Sequence, residues 1–311
     1  MNLKRKKTII ITSVITGTCI LAGSAFANYS TANGYDVYKQ GIKSLIGQKN
    51  YTMNTSATVT GDGETLLETT LSEKYDLSGE VILNRTETSK DITSGMNEHE
   101  NREIIQDGKR YYYYTGAECW ESYGVLSADN HGILDSVTPN DEDTAQKVIK
   151  FVELLTDTVV GDLKNNFVYI SDTENGGAKY SVSLDAIQIP ELINAGISAM
   201  CSLNKYEVTD NNEYYSSLEP TDPEYYLYHN AALKSVSCDF EVDGEGRLTH
   251  NIITVSIESE DGHNMEIKLE LNFSDFGTTV PEPLDPNVNV RDYSVEEAYR
   301  DYDAENTYVI D

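Results

Sequence analysis

The sequence predicts an α+β fold: a curved antiparallel β-sheet, a half-barrel, wrapping around helices packed on its concave face. Three observations predict it. The C-terminal part holds three runs of strict apolar/polar alternation, the period of strands with one buried face. Two internal runs switch to helical spacing, and a short amphipathic helix opens the folded body. The order that results is helix, strands, helix, hairpin, helix, insertion, three strands. It fits one domain, because the only stretch with linker character is 204–232.

The opening helix is expected over Tyr35 to Gly47, with Tyr35, Tyr38, Ile42, Leu45 and Ile46 on one stripe and Gly47 as the stop. Tyr51, Met53, Thr55, Ala57 and Val59 then alternate with polar residues, and Asp62-Gly63 makes a hairpin turn. Thr-rich extended segments run to about Lys90, and a second hairpin centres on Asp107-Gly108 before Tyr111 to Tyr114. From Thr144 to Leu163 the apolar positions Ala145, Val148, Ile149, Val152, Leu155 and Val159 are helical, with Asp141, Glu142 and Asp143 where the helix dipole favours anions. A hairpin follows, from Phe167 to Ile170 and from Tyr180 to Leu184, turning at Asn175-Gly176. Pro190 opens a helix to about Leu203, and 204–232 reads as a polar, Tyr-rich insertion. Three strands close the domain: Val236 to Val242, Ile253 to Ile257 and Met265 to Phe273, with Gly244 and Asp261-Gly262 at the turns. Residues 285–311 are acidic and expected as a loosely held tail.

Of 311 residues, 52 are Asp or Glu and 23 are Lys or Arg, a formal net charge of -29. Four of the cations are Lys4, Arg5, Lys6 and Lys7, and the chain from Asn28 onward carries -33. A surface this anionic repels nucleic acid and anionic headgroups, so neither is an expected partner. The basic cluster precedes a charge-free stretch, Thr8 to Ala27, ending in the small-x-small pattern Ala25-Phe26-Ala27. Residues 1–27 therefore read either as a cleaved signal peptide or as an uncleaved membrane anchor. Both place the body, 28–284, outside the cytoplasm, with any membrane contact made only through the N-terminal segment. Thr18 stands before Cys19 where a lipid-attachment signal wants Gly, Ala or Ser, so lipidation is not expected. Cys119, Cys201 and Cys238 allow one disulfide and one thiol, and read better as small buried hydrophobes.

Searching the chain for chemistry turns up little. His99-Glu100 begins a zinc-protease-like motif, but its last position is Glu103, and no helical stripe surrounds it. Asp239, Glu241 and Asp243 resemble the start of a calcium loop, but its twelfth position is His250 rather than a bidentate Glu. No nucleophile elbow, phosphate loop or dinucleotide glycine pattern occurs. The expectation is a protein that is not an enzyme and takes no metal or cofactor. The 22 Tyr read as sheet packing with solvent-facing tips, and the run Tyr111 to Tyr114 should put two rings on each face of a strand.

Several segments together resemble the lipoprotein-carrier half-barrel superfamily, the LolA-like and LppX/LprG-like extracytoplasmic proteins. They are the opening helix with Asn50-Tyr51-Thr52, Gln106-Asp107-Gly108-Lys109, and Val160-Gly161-Asp162-Leu163-Lys164. Ile187-Gln188-Ile189-Pro190-Glu191-Leu192, Val242 to Leu248 and Leu271 to Gly277 complete the series, which spans about 35–284. The chain departs from those carriers in lacking a lipid-attachment motif, in its acidity and in the insertion at 204–232. The resemblance implies a sheet wrapped around helices with an apolar cavity for acyl chains. On that basis the chain is expected to be a non-catalytic extracytoplasmic protein holding a lipid or lipid-modified ligand. Candidate lining residues are Phe240, Val255, Ile257, Ile267, Leu269 and Leu271, whose other reading is a filled core. The alternative function is a membrane-anchored cell-surface sensor or scaffold acting through a protein partner.

Overall fold

Two hairpin turns take positive φ at both central residues, the geometry that matches the twist of the flanking strands. They are Asp62 and Gly63 (48° and 89°) and Asp107 and Gly108 (52° and 70°). The first links β1 (Asn50–Gly61) to β2 (Glu64–Asp76), and the second links β4 (His99–Gln106) to β5 (Lys109–Tyr114). The structure is a computed structural model that describes residues 33–46, 48–92, 98–124, 167–174, 176–187, 218–221, 225–226 and 232–293. The remaining elements are α1 (Asn33–Ile46), β3 (Val81–Asp91), β6 (Trp120–Gly124), β7 (Val168–Asp172) and β8 (Ala178–Asp185). They continue with β9 (Ala232–Val242), β10 (Leu248–Glu258), β11 (Asn264–Ser274) and β12 (Val290–Tyr293).

All twelve strands form one open sheet in the order β12-β6-β5-β4-β3-β2-β1-β11-β10-β9-β8-β7. Every neighbouring pair is antiparallel except β12 and β6. The N-terminal hairpins and the C-terminal meander meet where β1 pairs with β11, setting Thr52 against Ser274 and Gly61 against Met265. That seam joins strands more than two hundred positions apart in the chain, so the two halves share one core.

One face of the sheet, here called inner, carries α1 over β9 and β10. Tyr38 of α1 lies 4.8 Å from the ring of Phe240, which also stacks on Tyr180 at 5.1 Å and meets Phe167 edge-on at 6.2 Å. The buried amide of Asn251 locks this contact: its Nδ2 donates to Tyr38 Oη at 3.0 Å and its Oδ1 accepts from Cys238 Sγ at 3.1 Å. A buried amide with both ends satisfied orients the helix as well as supporting it. Close approach also fixes the β8–β9 edge, where a Cβ on Gly177 would stand 1.8 Å from the Val242 carbonyl oxygen.

The α+β expectation, with a layer of helices on the concave face, is overturned. The described residues form twelve strands and one 14-residue helix, which packs mainly on β9 and β10 and comes close to Tyr180 of β8 at Gly34. Strand alternation runs through the N-terminal hairpins as it does through the meander. The inner face of β2–β4 sets the buried Tyr75, Leu83 and Ile105 beside the ion-paired Glu73, Arg85 and Glu103, so these Thr- and Glu-rich segments join the one sheet as strands. The expected helices over 144–163 and 191–203, residues 1–27 and Cys201 lie outside the described residues. The sequence's strands and turns are present, including the three-stranded C-terminal meander. Cys238 is buried as expected, while Cys119 is only half-buried, and both are free thiols. Tyr225 and Tyr226, within the stretch expected to be a polar insertion, are buried at 5% and 0% exposure. Tyr226 Oη donates toward the carbonyls of Asn264 and Pro220, at 3.2 and 3.3 Å. Among the described residues no helix is long and apolar enough to cross a membrane.

Residues 275–289 form a strap across the opposite, outer face, carrying the chain from β11 to the far edge, where β12 joins β6. Its main clamp is reciprocal: Asn50 Nδ2 donates to the Thr279 carbonyl and Thr279 N donates to Asn50 Oδ1, both at 2.8 Å. Lys74 pairs with Glu282, Asn84 Nδ2 donates to the Glu282 carbonyl at 2.8 Å, and Leu284 N donates to Gln106 Oε1 at 2.8 Å. At the end Asp292 accepts from Lys109 Nζ at 2.9 Å and from Ser122 Oγ. The region expected as a tail from 285 thus begins inside the strap, and its residues 290–293 are paired as a strand. Asn50→Ala removes both halves of the clamp: the Thr279 carbonyl loses the Asn50 amide, while Thr279 N keeps only its bond to the Asp275 carbonyl at 3.1 Å. It is expected to lower stability by about 1–3 kcal/mol, read as a fall in the urea midpoint.

Candidate functional site

Strand register lays the inner face out in rows that cross the whole sheet, because residues directly opposite each other point the same way. One row runs Phe240, Asn251, Leu271, Thr55, Leu71, Glu87, Asn101, Tyr114. Beside it, on one side, lie Ile253, Leu269, Ala57, Thr69 and Ser89. On the other lie Phe273, Met53, Glu73, Arg85, Glu103 and Tyr112. Along these three rows the inner face is apolar from β9 to β1 and polar from β3 to β5, with β2 as the boundary; a fourth row, Tyr51, Tyr75, Leu83 and Ile105, is buried apolar core across β1 to β4.

The six candidate lining residues divide in two. Phe240, Val255, Ile257 and Ile267 are buried in the main hydrophobic cluster and serve as core. Leu269 and Leu271 are only half-buried and pack at that cluster's margin, as does Leu71. Between them stand three of the smallest inner-face side chains, Thr55, Ala57 and Thr69, all half-buried. Thr55 Oγ1 is buried and has no hydrogen-bond partner among the described residues. The middle of the sheet thus carries short side chains flanked by three half-buried leucines, the place a shallow apolar depression would occupy.

The polar half is held by an ion-pair ladder across four strands. Glu73, 1% exposed, accepts from Tyr51 Oη at 2.6 Å and from Arg85 Nε and Nη2 at 2.8 and 2.5 Å. Arg85 Nη1 reaches Glu103 Oε2 at 3.4 Å, and Arg110 Nε reaches Glu103 Oε1 at 2.8 Å. Burial alone would lower the Arg85 guanidinium, but the carboxylates of Glu73 and Glu103 outweigh it and raise it. Burial first, and then the Glu73 carboxylate, push the Tyr51 phenol well above its ordinary value, so it stays a donor at every physiological pH. Tyr112 and Tyr114 continue this face with rings 6.4 Å apart, while Tyr113 packs on Trp120 at 5.5 Å on the outer face, so the expected two-and-two split of the Tyr run holds.

Sequence reasoning missed Glu73, Arg85, Glu87, Asn101 and Leu71. Their signal was parity: each sits at an inward position of a strand, but assigning it needs the register of hairpins whose turns carry no Asn-Gly or Asp-Gly. Asp76, for example, turns the chain by accepting from Ser78 N and Oγ at 3.0 and 2.8 Å. The two partial metal motifs lie on a strand and at a strand end. Adjacent strand positions send His99 and Glu100 to opposite faces. Asp243 is a turn residue: burial raises it, but hydrogen bonds from Arg247 and from Glu245 N hold its carboxyl below the usual range. Among the described residues no group of three or more His, Cys, Asp or Glu is placed to hold a metal ion.

A second polar cluster sits at neighbouring turn tips. Asp62 accepts from Asn264 N at 2.9 Å and pairs with His263 Nδ1 at 2.7 Å, and these hold its carboxyl low. Asp261 accepts from Ser259 Oγ at 2.5 Å and from Tyr225 Oη. This cluster knits the β1–β2 and β10–β11 turns together away from the inner-face depression.

No protein-family model matches the chain, and no curated protein matches it. Among solved structures it is similar to the ywiB protein from Bacillus subtilis, at 8% identity and TM-score 0.16, covering 73% of this chain and 94% of that one. It is also similar to a LolA superfamily protein from Nitrosomonas europaea, at 9% identity and TM-score 0.19, covering 82% and 96%. A beta-barrel-like protein of domain of unknown function DUF1849 from Brucella abortus is similar at 10% identity and TM-score 0.19, covering 73% and 99%. At these TM-scores none of the three carries an argument.

Arg85→Met strips the buried Glu73 carboxylate of its cation and is expected to cost about 3–5 kcal/mol in denaturant unfolding; pairing it with Glu73→Leu should recover most of the loss. A pH readout is available at Tyr225, whose phenol is pushed up to about 12, first by its hydrogen bond to Asp261. A raised folded-state value means that this stabilisation is full below about pH 10, the ordinary tyrosine value, and lost as pH rises through about 12. Ultraviolet titration should show one late-ionising tyrosine fewer in Asp261→Asn.

Proposed function

We propose that the protein is a non-catalytic extracytoplasmic binding protein that holds a single apolar chain in the depression between Leu71, Leu269 and Leu271. The observation that carries this reading is the contrast within one face. Leucines and short side chains remain half-buried in mid-sheet, while the same face a strand or two away is fully buried core. Three large aliphatic side chains held partly open around a buried, unpaired hydroxyl are poor core, since packed interiors normally close such gaps. They are serviceable walls for an acyl chain, which would cover them and gain about 0.8 kcal/mol per methylene buried. The N-terminal basic and apolar segment supports the location, and the resemblance to lipoprotein carriers supports the ligand class.

A second reading, an anchored surface scaffold, is favoured by β7. Val168, Tyr169 and Ile170 are 55%, 52% and 51% exposed on the last strand of the sheet, the setting in which a partner can add a strand.

The deciding experiment is native mass spectrometry of the protein as recovered from a bacterial host, before and after solvent extraction. The binding reading expects a stoichiometric adduct of acyl-chain mass that extraction removes. Leu269→Trp and Leu271→Trp fill the depression and should each abolish the adduct while leaving thermal unfolding within a few degrees of wild type. A clean unliganded mass that persists after incubation with phospholipid vesicles would rule out the lipid reading and leave the scaffold.

A further inference from the structure

We propose that the ligand of this depression is a cationic amphiphile, whose ammonium end is received by Glu87 and Asn101. The inference rests on the binding reading above and adds the chemistry of the ligand's polar end. Leu271, Thr55, Leu71, Glu87 and Asn101 are consecutive in one cross-strand row. The wall of the depression therefore passes from leucine to carboxylate in one strand spacing, about 4.8 Å. Glu87 differs from its acidic neighbours on this face. Glu73 is neutralised by Arg85, and Glu103 by Arg85 and Arg110. Glu87 is half-buried on β3 without an ion pair or hydrogen bond among the described residues, and so is the adjacent amide of Asn101.

Half-buried carboxylates are costly without a counter-charge, and here the nearby guanidiniums are already committed. An ammonium group entering beside Leu71 would find the Glu87 carboxylate and the Asn101 carbonyl oxygen as acceptors, with its chain lying over Leu71 and Leu271. An anionic headgroup would meet an unneutralised carboxylate, set in a body whose net charge is -33 from Asn28 onward, and would be repelled twice. The shared chemistry is an alkyl chain ending in a protonated amine, whether a free alkylamine or a lipid with an amine headgroup.

Isothermal titration of the full chain with decylammonium, decanol and decanoate, below their aggregation concentrations, tests this. Decylammonium should bind best and decanoate worst. Glu87→Gln should weaken decylammonium about tenfold, the worth of one charge-assisted hydrogen bond, leave decanol unchanged, and not lower the melting temperature. Glu245→Gln, an exposed acid in the β9–β10 turn, should change none of these affinities. Lysophosphatidylethanolamine in place of decylammonium separates the two sources: tighter binding, still sensitive to Glu87→Gln, assigns a lipid, and weaker binding assigns a free amine. Decanol binding that Leu271→Trp removes, together with decylammonium affinity indifferent to Glu87→Gln, would overturn the cationic assignment and leave the apolar site standing. Failure of all the amphiphiles to bind would overturn both.

Discussion

A carboxylate 1% exposed at the middle of a β-sheet is the constraint around which this fold is arranged. Glu73 lies where the apolar and polar halves of the inner face meet, opposite Met53 on one side and Arg85 on the other. Left alone it would cost several kcal/mol, so everything that faces it is specified: a tyrosine to donate, a guanidinium with two nitrogens in reach, and a second acid to hold that guanidinium in place. The result is a register lock. A one-residue slip of β2 against β3 would bring Arg85 to the wrong face and leave Glu73 buried without a cation. An apolar pair at the same positions would tolerate the slip far better, which is a physical reason for a buried ion pair in a sheet whose other strands are Thr-rich and weakly self-specifying.

The N-terminal half of this wide sheet is also tied together across its outer face. The outer face of β1–β6 mixes polar side chains with the buried Ile104 and Trp120, and residues 275–289 are tied to it by hydrogen bonds and one ion pair. Pro281 is the buried apolar contact within this run, between Thr279 and Glu282. Because the strap begins at the β1–β11 seam and ends on β6, it couples the meander to the far edge of the N-terminal hairpins. Its last residues, as β12, pair with β6 and supply the single parallel ladder in the sheet. The strap thereby shields β6, which would otherwise present Trp120 to Tyr123 as an unpaired edge.

How far the sequence was legible follows from which signals are local. The Asp-Gly turns at 62–63 and 107–108, the inward alternation of Val236, Cys238 and Phe240, and the stripe of the opening helix are short-range patterns, and the structure has each of them. The fold class failed on a long-range property. Helices are expected from helical spacing over 144–163 and from Pro190 onward, stretches outside the described residues. Glu73, Arg85 and Glu103, at inward positions of β2 to β4, meanwhile blur the apolar alternation of Leu67, Tyr75, Leu83 and Ile105 that marks those segments as strands of one wide sheet. Tyr225 and Tyr226 failed for a related reason. Tyrosine in a polar stretch reads as surface, yet a ring can be buried wherever its hydroxyl reaches a carbonyl, as that of Tyr226 does at Asn264. Of the six proposed lining residues, parity correctly placed all on the inner face, but only three-dimensional packing separates the four that fill the core from Leu269 and Leu271 at its margin.

The division of the inner face also bears on what kind of protein this is. Among the described residues the buried carboxylate is committed to its neighbours, Glu73 to Tyr51 and Arg85. Tyr51 and Arg85 are both shifted in the direction that keeps them in their ordinary protonation state. What varies along the row from Phe240 to Tyr114 is polarity alone, graded from aromatic core through half-open leucines to a carboxylate and an amide. A surface built as a gradient between water and hydrocarbon matches a molecule with the same gradient. The ion-pair ladder beside it supplies rigidity, so that neither end has to be ordered when such a molecule binds.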